Sequence, residues 1–182
     1  MQKKKGAMEL SVSTIVIIVL AMSMLIFGMI LLKNIFGGAT NVVDLTNEQV
    51  KERIRDLWGE DNKVVVYPGS QLITIEQGET GGFGIGIKNL LEGSDETTFS
   101  YTTTVSSQDG CGVSDNYIEN NWIGLGKEEG GIKLGPGEFT SGKILIKIPV
   151  GSSLCDFRLR INVRQGSENY GSEFMDVTIK AS

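Results

Sequence analysis

The first pattern along the chain is an absence of polar period. Leu10 to Leu32 contains no charged residue, and a bilayer-spanning helix needs about 20 such positions. Each Leu, Ile, Val or Phe in the run favours insertion by roughly 0.3–0.6 kcal/mol near a helix centre, several kcal/mol together. The pattern predicts a long N-terminal transmembrane helix over residues 10–36. A shorter, amphipathic period follows. Thr46 and Gln49 have the spacing of a capping box, and Leu45 and Val50 that of a hydrophobic staple. Val50, Ile54, Leu57 and Trp58 then share one stripe, and Gly59 suits a left-handed stop. This predicts a helix over about 47–58 that packs on the domain.

From Lys63 the period shortens to two. Phe83, Ile85 and Ile87 alternate with smaller or polar residues. So do Phe99, Tyr101, Thr103 and Val105, then Ile144, Ile146 and Ile148. Residues 156–164 set Phe157, Leu159, Ile161 and Val163 against Arg158, Arg160, Asn162 and Arg164. With 63–67, 71–75 and 174–180, about seven short strands emerge, spaced as in an antiparallel sandwich. No crossover helices support a parallel sheet. Residues 106–141 are irregular and glycine-rich, with a short helix or turn at 117–126. The expected class is α+β and membrane-anchored: a long transmembrane helix, a short amphipathic helix, then a mainly antiparallel β-sandwich. The expected divisions are a basic segment at 1–9 with a leader over 1–6 as one reading, the helix at 10–36, a linker and amphipathic helix at 37–60, and the sandwich at 61–182.

Charge sharpens the orientation. Of the 182 residues, 1–40 carry four Lys against one Glu, a net +3, and 41–182 carry 13 Lys/Arg against 21 Asp/Glu, a net −8. Lys3, Lys4 and Lys5 before the apolar run place the N-terminus in the cytoplasm and the acidic domain outside. Such a domain repels phosphate backbones, so nucleic acid is not an expected partner. In an oxidising compartment Cys111 and Cys155 are most simply a disulfide, with unpaired buried thiols as the alternative.

The chemistry is sparse. There is no histidine, which removes the usual general base, the Ser-His-Asp arrangement and most zinc sites. The glycines of 78–86 lack dinucleotide or P-loop spacing and read as a hairpin turn with thin strand positions. Glu92, Asp95 and Glu96 could supply oxygens to Ca²⁺, but without EF-hand order a solvated turn is the plainer reading. No catalytic residue, cofactor or metal site is expected. Tyr117 and Trp122 lie in the irregular stretch, where contact residues concentrate; the competing reading has Trp122 closing the end of the sandwich. The outward Arg158, Arg160 and Arg164 suit an acidic neighbouring subunit or a plain solvated face.

The order Lys4, Lys5, Gly6, Ala7-Met8-Glu9 and then an apolar helix resembles the class III signal of archaeal type IV pilins and archaellins. The resemblance implies a cut between Gly6 and Ala7, with Lys4, Lys5 and Gly6 as recognition residues. Glu9 would then lie nearer the new N-terminus than the glutamate of bacterial pilins does. Separately, Ala7, Thr14, Ala21 and Gly28 recur every seventh residue and form a small face on which helices can approach closely. Residues 134–163, where Pro-Gly-Glu precedes a strand and Pro149 ends it, resemble the last strands of immunoglobulin-like cell-surface domains.

These observations predict a pilin-like surface protein at the cell membrane. Its helix would contact lipid and pack with copies of itself, and its outer domain would serve a structural or adhesive role. The alternative is a single-pass anchored ectodomain that binds a partner protein without processing or polymerisation. An anchored enzyme is the least supported.

Overall fold

The computed structural model describes residues 12–36, 42–93 and 95–182. The chain divides into two compact units, Met1–Gly38 and Ala39–Ser182. The first contains helix α1, Val12–Phe36. Its described side chains run from Thr14 to Ile30, and every large apolar one from Ile15 to Ile30 is exposed. Among the described residues no helix is long and apolar enough to cross a membrane. The expected α+β class with a long transmembrane helix is therefore corrected: the described chain is mostly β, in two sheets. The cleavage-signal residues Lys4, Lys5, Gly6 and Ala7, and the linker over 37–40, lie outside the described residues.

In the second unit a 3₁₀ turn (Val42–Asp44) leads into α2, Asn47–Arg55. The capping box forms as its spacing predicts. The Gln49 N–H donates to Thr46 Oγ1 at 3.2 Å, and the Thr46 N–H donates to Gln49 Oε1 at 2.8 Å. The α-helix ends earlier than expected, with tighter i→i+3 bonds bringing Leu57 and Trp58 onto the sheet.

Nine strands follow: β1 Val64–Tyr67, β2 Leu72–Glu76, β3 Thr80–Lys88, β4 Thr97–Asp109, β5 Ile123–Leu125, β6 Glu128–Leu134, β7 Phe139–Lys147, β8 Asp156–Gln165 and β9 Glu168–Lys180. Between β4 and β5 lies α3, Asp115–Asn121. One sheet has the order β1-β3-β7-β5 and the other β2-β9-β8-β4-β6. All pairs are antiparallel except β2 with β9, which run parallel. Phe83, Ile85, Ile144, Ile146, Leu159 and Ile161 meet between the sheets, each at most 1% exposed. The strands β5 and β6 were hidden in the irregular stretch because both are edges. A short edge that mixes glycine with charge, as Glu128-Glu129-Gly130-Gly131 does, shows no buried period.

The glycines at 78–86 are placed differently from expectation. The turn at Gly78 joins β2 to β3 across the two sheets and makes no hairpin. Within β3, Phe83, Ile85 and Ile87 point into the core, while Gly84 and Gly86 face α2. A Cβ on Gly86 would stand 2.4 Å from Ile54 Cγ2 and 3.0 Å from the Trp58 ring; one on Gly84 would stand 3.0 Å from Val50 Cγ1. The bare backbone lets α2 settle onto the sheet and seal a second small core of Val42, Val50, Ile54 and Val65. Trp58 meets Phe139 edge-on at 6.0 Å, and Lys143 Nζ donates to the Leu45 carbonyl. A Gly86→Ala change should therefore destabilise the chain by about 1–3 kcal/mol through overpacking, read as a lower urea midpoint. Thr46→Ala should cost about 1 kcal/mol through the lost cap.

Candidate functional site

The irregular stretch turns out to be ordered at one end of the sandwich. The last rung of the β4–β8 ladder sets Asp109 opposite Asp156, an unfavourable like-charge pair. Immediately beyond it Cys111 and Cys155 form a disulfide with a Cα–Cα distance of 4.9 Å. In the chain-entropy model, closing that loop stabilises by about 3–4 kcal/mol. Asp156 also accepts from Thr178 Oγ1 at 2.6 Å.

Ser114 caps α3, its Oγ accepting from the Tyr117 N–H at 3.3 Å. One face of α3 buries Ile118, and Trp122 follows at 2% exposure with its ring 5.7 Å from that of Phe157. The buried Trp122 Nε1 has no hydrogen-bond partner. Tyr117 is 46% exposed. The two aromatic residues that the sequence groups together differ in burial, Trp122 closing the sandwich and Tyr117 facing solvent, and both line one depression. That depression, of about 260 Å³, runs between Val113, Tyr117 and the loop after β7. That loop exposes Val150 and Leu154, and is held where Gln77 Nε2 donates to the Ser152 carbonyl. The apolar tips were not legible in the sequence as contact residues, because they are single positions in a loop without period. Glu119 was also missed; it reaches back to accept from the Val105 N–H at 2.8 Å, beside the irregularity in β4.

A second depression, of about 420 Å³, opens at the edge where β6 and β7 come together, with Tyr101, Glu129, Gly142 and Lys143 in its wall. Burial first, then the negative charge and hydrogen bond of Glu129, push the Tyr101 phenol up to about 12. It remains a protonated donor at neutral pH. The outer face of the second sheet holds the largest of the three hollows, about 520 Å³. There Arg158 donates to Asp176 through Nε at 2.6 Å and through a terminal nitrogen at 2.8 Å. That fork holds the Asp176 carboxyl below its usual range, mainly by hydrogen bonding. Among the described residues no group of three or more Cys, Asp or Glu side chains is placed to hold a metal, the neighbourhood of Glu92, Asp95 and Glu96 included.

No protein-family model and no curated relative matches this chain. Solved structures similar to it include the CARDB domain of the PF1109 protein from Pyrococcus furiosus, in complex with di-metal ions, at 15% identity and TM-score 0.40, covering 65% of this chain and 94% of that one. A PapD-like domain of human CEP192 matches at 13% identity and TM-score 0.38, covering 69% and 93%. A family 123 glycoside hydrolase from Clostridium perfringens matches at 14% identity and TM-score 0.39, covering 61% of this chain. The chain spans only 23% of that hydrolase's length. At these TM-scores the likenesses assign neither a family nor an activity.

The division between Tyr117 and Trp122 has a measurable form. Trp122→Ala should destabilise by about 3–5 kcal/mol, whereas Tyr117→Ala should stay within about 1 kcal/mol; urea denaturation of the full chain distinguishes them. For Tyr101, the phenol ionises later in the folded state than its ordinary value of 10.0. Above that value the unfolded state loses a proton that the folded state keeps, so stability falls as pH rises from about 10 to about 12. Tyr101→Phe should remove that fall, seen by comparing denaturation midpoints at pH 9 and 11.

Proposed function

We propose that this chain is a pilin-like structural subunit of the cell surface, in which α1 packs with copies of itself and the β-sandwich forms the outer domain. One observation favours it above the others: Ile15, Val16, Ile17, Ile18, Val19 and Leu20 are all exposed, and so are Leu25, Ile26 and Phe27 one to two turns on. An apolar surface on every side of a helix exceeds what a solitary soluble unit presents to water, and an apolar partner offsets it. Thr14, Ala21 and Gly28 supply a small face for that partner. A Cβ on Gly28 would meet nothing of its own chain within 4 Å, which leaves space for another backbone. Processing between Gly6 and Ala7 belongs to the same reading, as does an immunoglobulin-like character of the outer domain. The role is structural or adhesive and not catalytic.

The test is self-association of the full chain. Cysteine-specific crosslinking through a Gly28→Cys variant should give dimers along α1, and Gly28→Leu should weaken wild-type association several-fold by blocking close approach. The intact mass of cell-derived protein should lack residues 1–6. A chain that stays monomeric, keeps Met1 and gives no dimer through Gly28→Cys would instead be the unprocessed ectodomain.

A further inference from the structure

The two outer faces of the sandwich differ in charge. On the first sheet, α2 buries Val50 and Ile54. At 100° per residue, Glu48 and Glu52 lie on the side directly away from them, with Asp56 beside that line; all three are exposed. Two of the three cations of α2 are drawn aside from the line, while Arg53 stays exposed at its flank. Lys51 Nζ stands 5.3 Å from the Phe139 ring centroid and the Arg55 guanidinium 5.8 Å from it.

On the second sheet, β8 turns Arg158, Arg160 and Arg164 outward, all exposed. Arg158 is engaged by Asp176. Among the described residues Arg160 and Arg164 form no ion pair. The Phe174 ring lies beneath the first two arginines, 5.8 Å from the Arg158 guanidinium and 5.4 Å from that of Arg160, so their planes are supported before any partner arrives. On the same face Ser100 lies opposite Arg164 and Thr102 opposite Asn162, with Glu128 of β6 beyond Thr102.

The geometry points to a head-to-tail contact between copies of this chain, with the Glu48–Glu52–Asp56 line of α2 on one copy laid against Arg160 and Arg164 on the β8 face of the next. This rests on the self-assembly reading above and names the outer-domain surface that would serve it. The spacings match over the length of the line: Arg160 and Arg164, four residues apart on a strand, are separated by about 13 Å, and Glu48 and Asp56, eight residues apart along the helix, by about 12 Å. The charge balance also matches, because an acidic domain approaches a second copy favourably only through its basic face. The faces lie on opposite sides of the sandwich, so each copy keeps one of each free. A contact of this heterologous kind propagates into an open chain and does not close as a two-fold dimer.

The experiment uses the full chain carrying both Glu52→Cys and Arg160→Cys, oxidised and run without reductant, beside the Gly28→Cys helix crosslink. A ladder of multimers from the double variant is the expected result. Arg160→Glu with Arg164→Glu should cut association of the outer domains about tenfold, and adding Glu48→Lys with Glu52→Lys should restore it. Both charge swaps lie at exposed positions, so circular dichroism should stay unchanged. If the helix crosslink forms and the ladder does not, the face-to-face contact is overturned while self-assembly through α1 stands. A ladder without the helix crosslink supports this contact and removes the helix bundle instead. Dimers alone in place of a ladder, or charge reversal without effect, overturn the head-to-tail arrangement.

Discussion

A helix can lie on a sheet only as closely as the outward side chains beneath it allow. In this domain that distance is set by β3, which is large on one side and bare on the other. Phe83, Ile85 and Ile87 fill the space between the sheets, and Gly84 and Gly86 leave the opposite surface open to Val50, Ile54 and Trp58. One strand therefore supports two cores, and much else follows from it. Residues 42–58 are folded against the sheet, Lys143 and Phe139 are committed to holding them, and the acidic side of α2 becomes the outer surface.

The elements easiest to read were those whose own period states their burial. The capping box at Thr46 and the alternation of β7 and β8 each appear where spacing places them, because local geometry and tertiary packing ask for the same residues there. The glycines of β3 were read as a thin strand, but the reason for their thinness is a helix some thirty residues earlier, which no local pattern records. Edge strands β5 and β6 escaped for the opposite reason: with one side unpaired and little to bury, their composition is that of a loop. At the disulfide end the residue types were legible and their division was not. Whether an aromatic side chain closes a core or faces water depends on the direction of a short helix, and around α3 Trp122 is buried while Tyr117 is exposed. The apolar run was read from its length without charge, while its described side chains show a different property, exposure of every large apolar one from Ile15 to Ile30.

The sandwich thus has three surfaces with separate character. The disulfide end is apolar at its tips and firmly backed. The α2 side is acidic, and the β8 side is polar and locally basic.

The parallel pairing of β2 with β9 has a consequence for how the domain is made. Ile73 lies opposite Val177, so the pairing joins distant parts of the chain, and the entropy of closing so long a loop is about 4 kcal/mol. The Cys111–Cys155 bridge lies inside that loop. Once formed, it offers a shorter covalent path between the two strands and lowers that cost by about half a kcal/mol. Oxidation thus acts beyond the end of the sandwich where the sulfurs sit. It draws together, in sequence terms, two strands, of which β9 also meets the bridge directly where the Ile179 N–H donates to the Cys155 carbonyl at 2.8 Å.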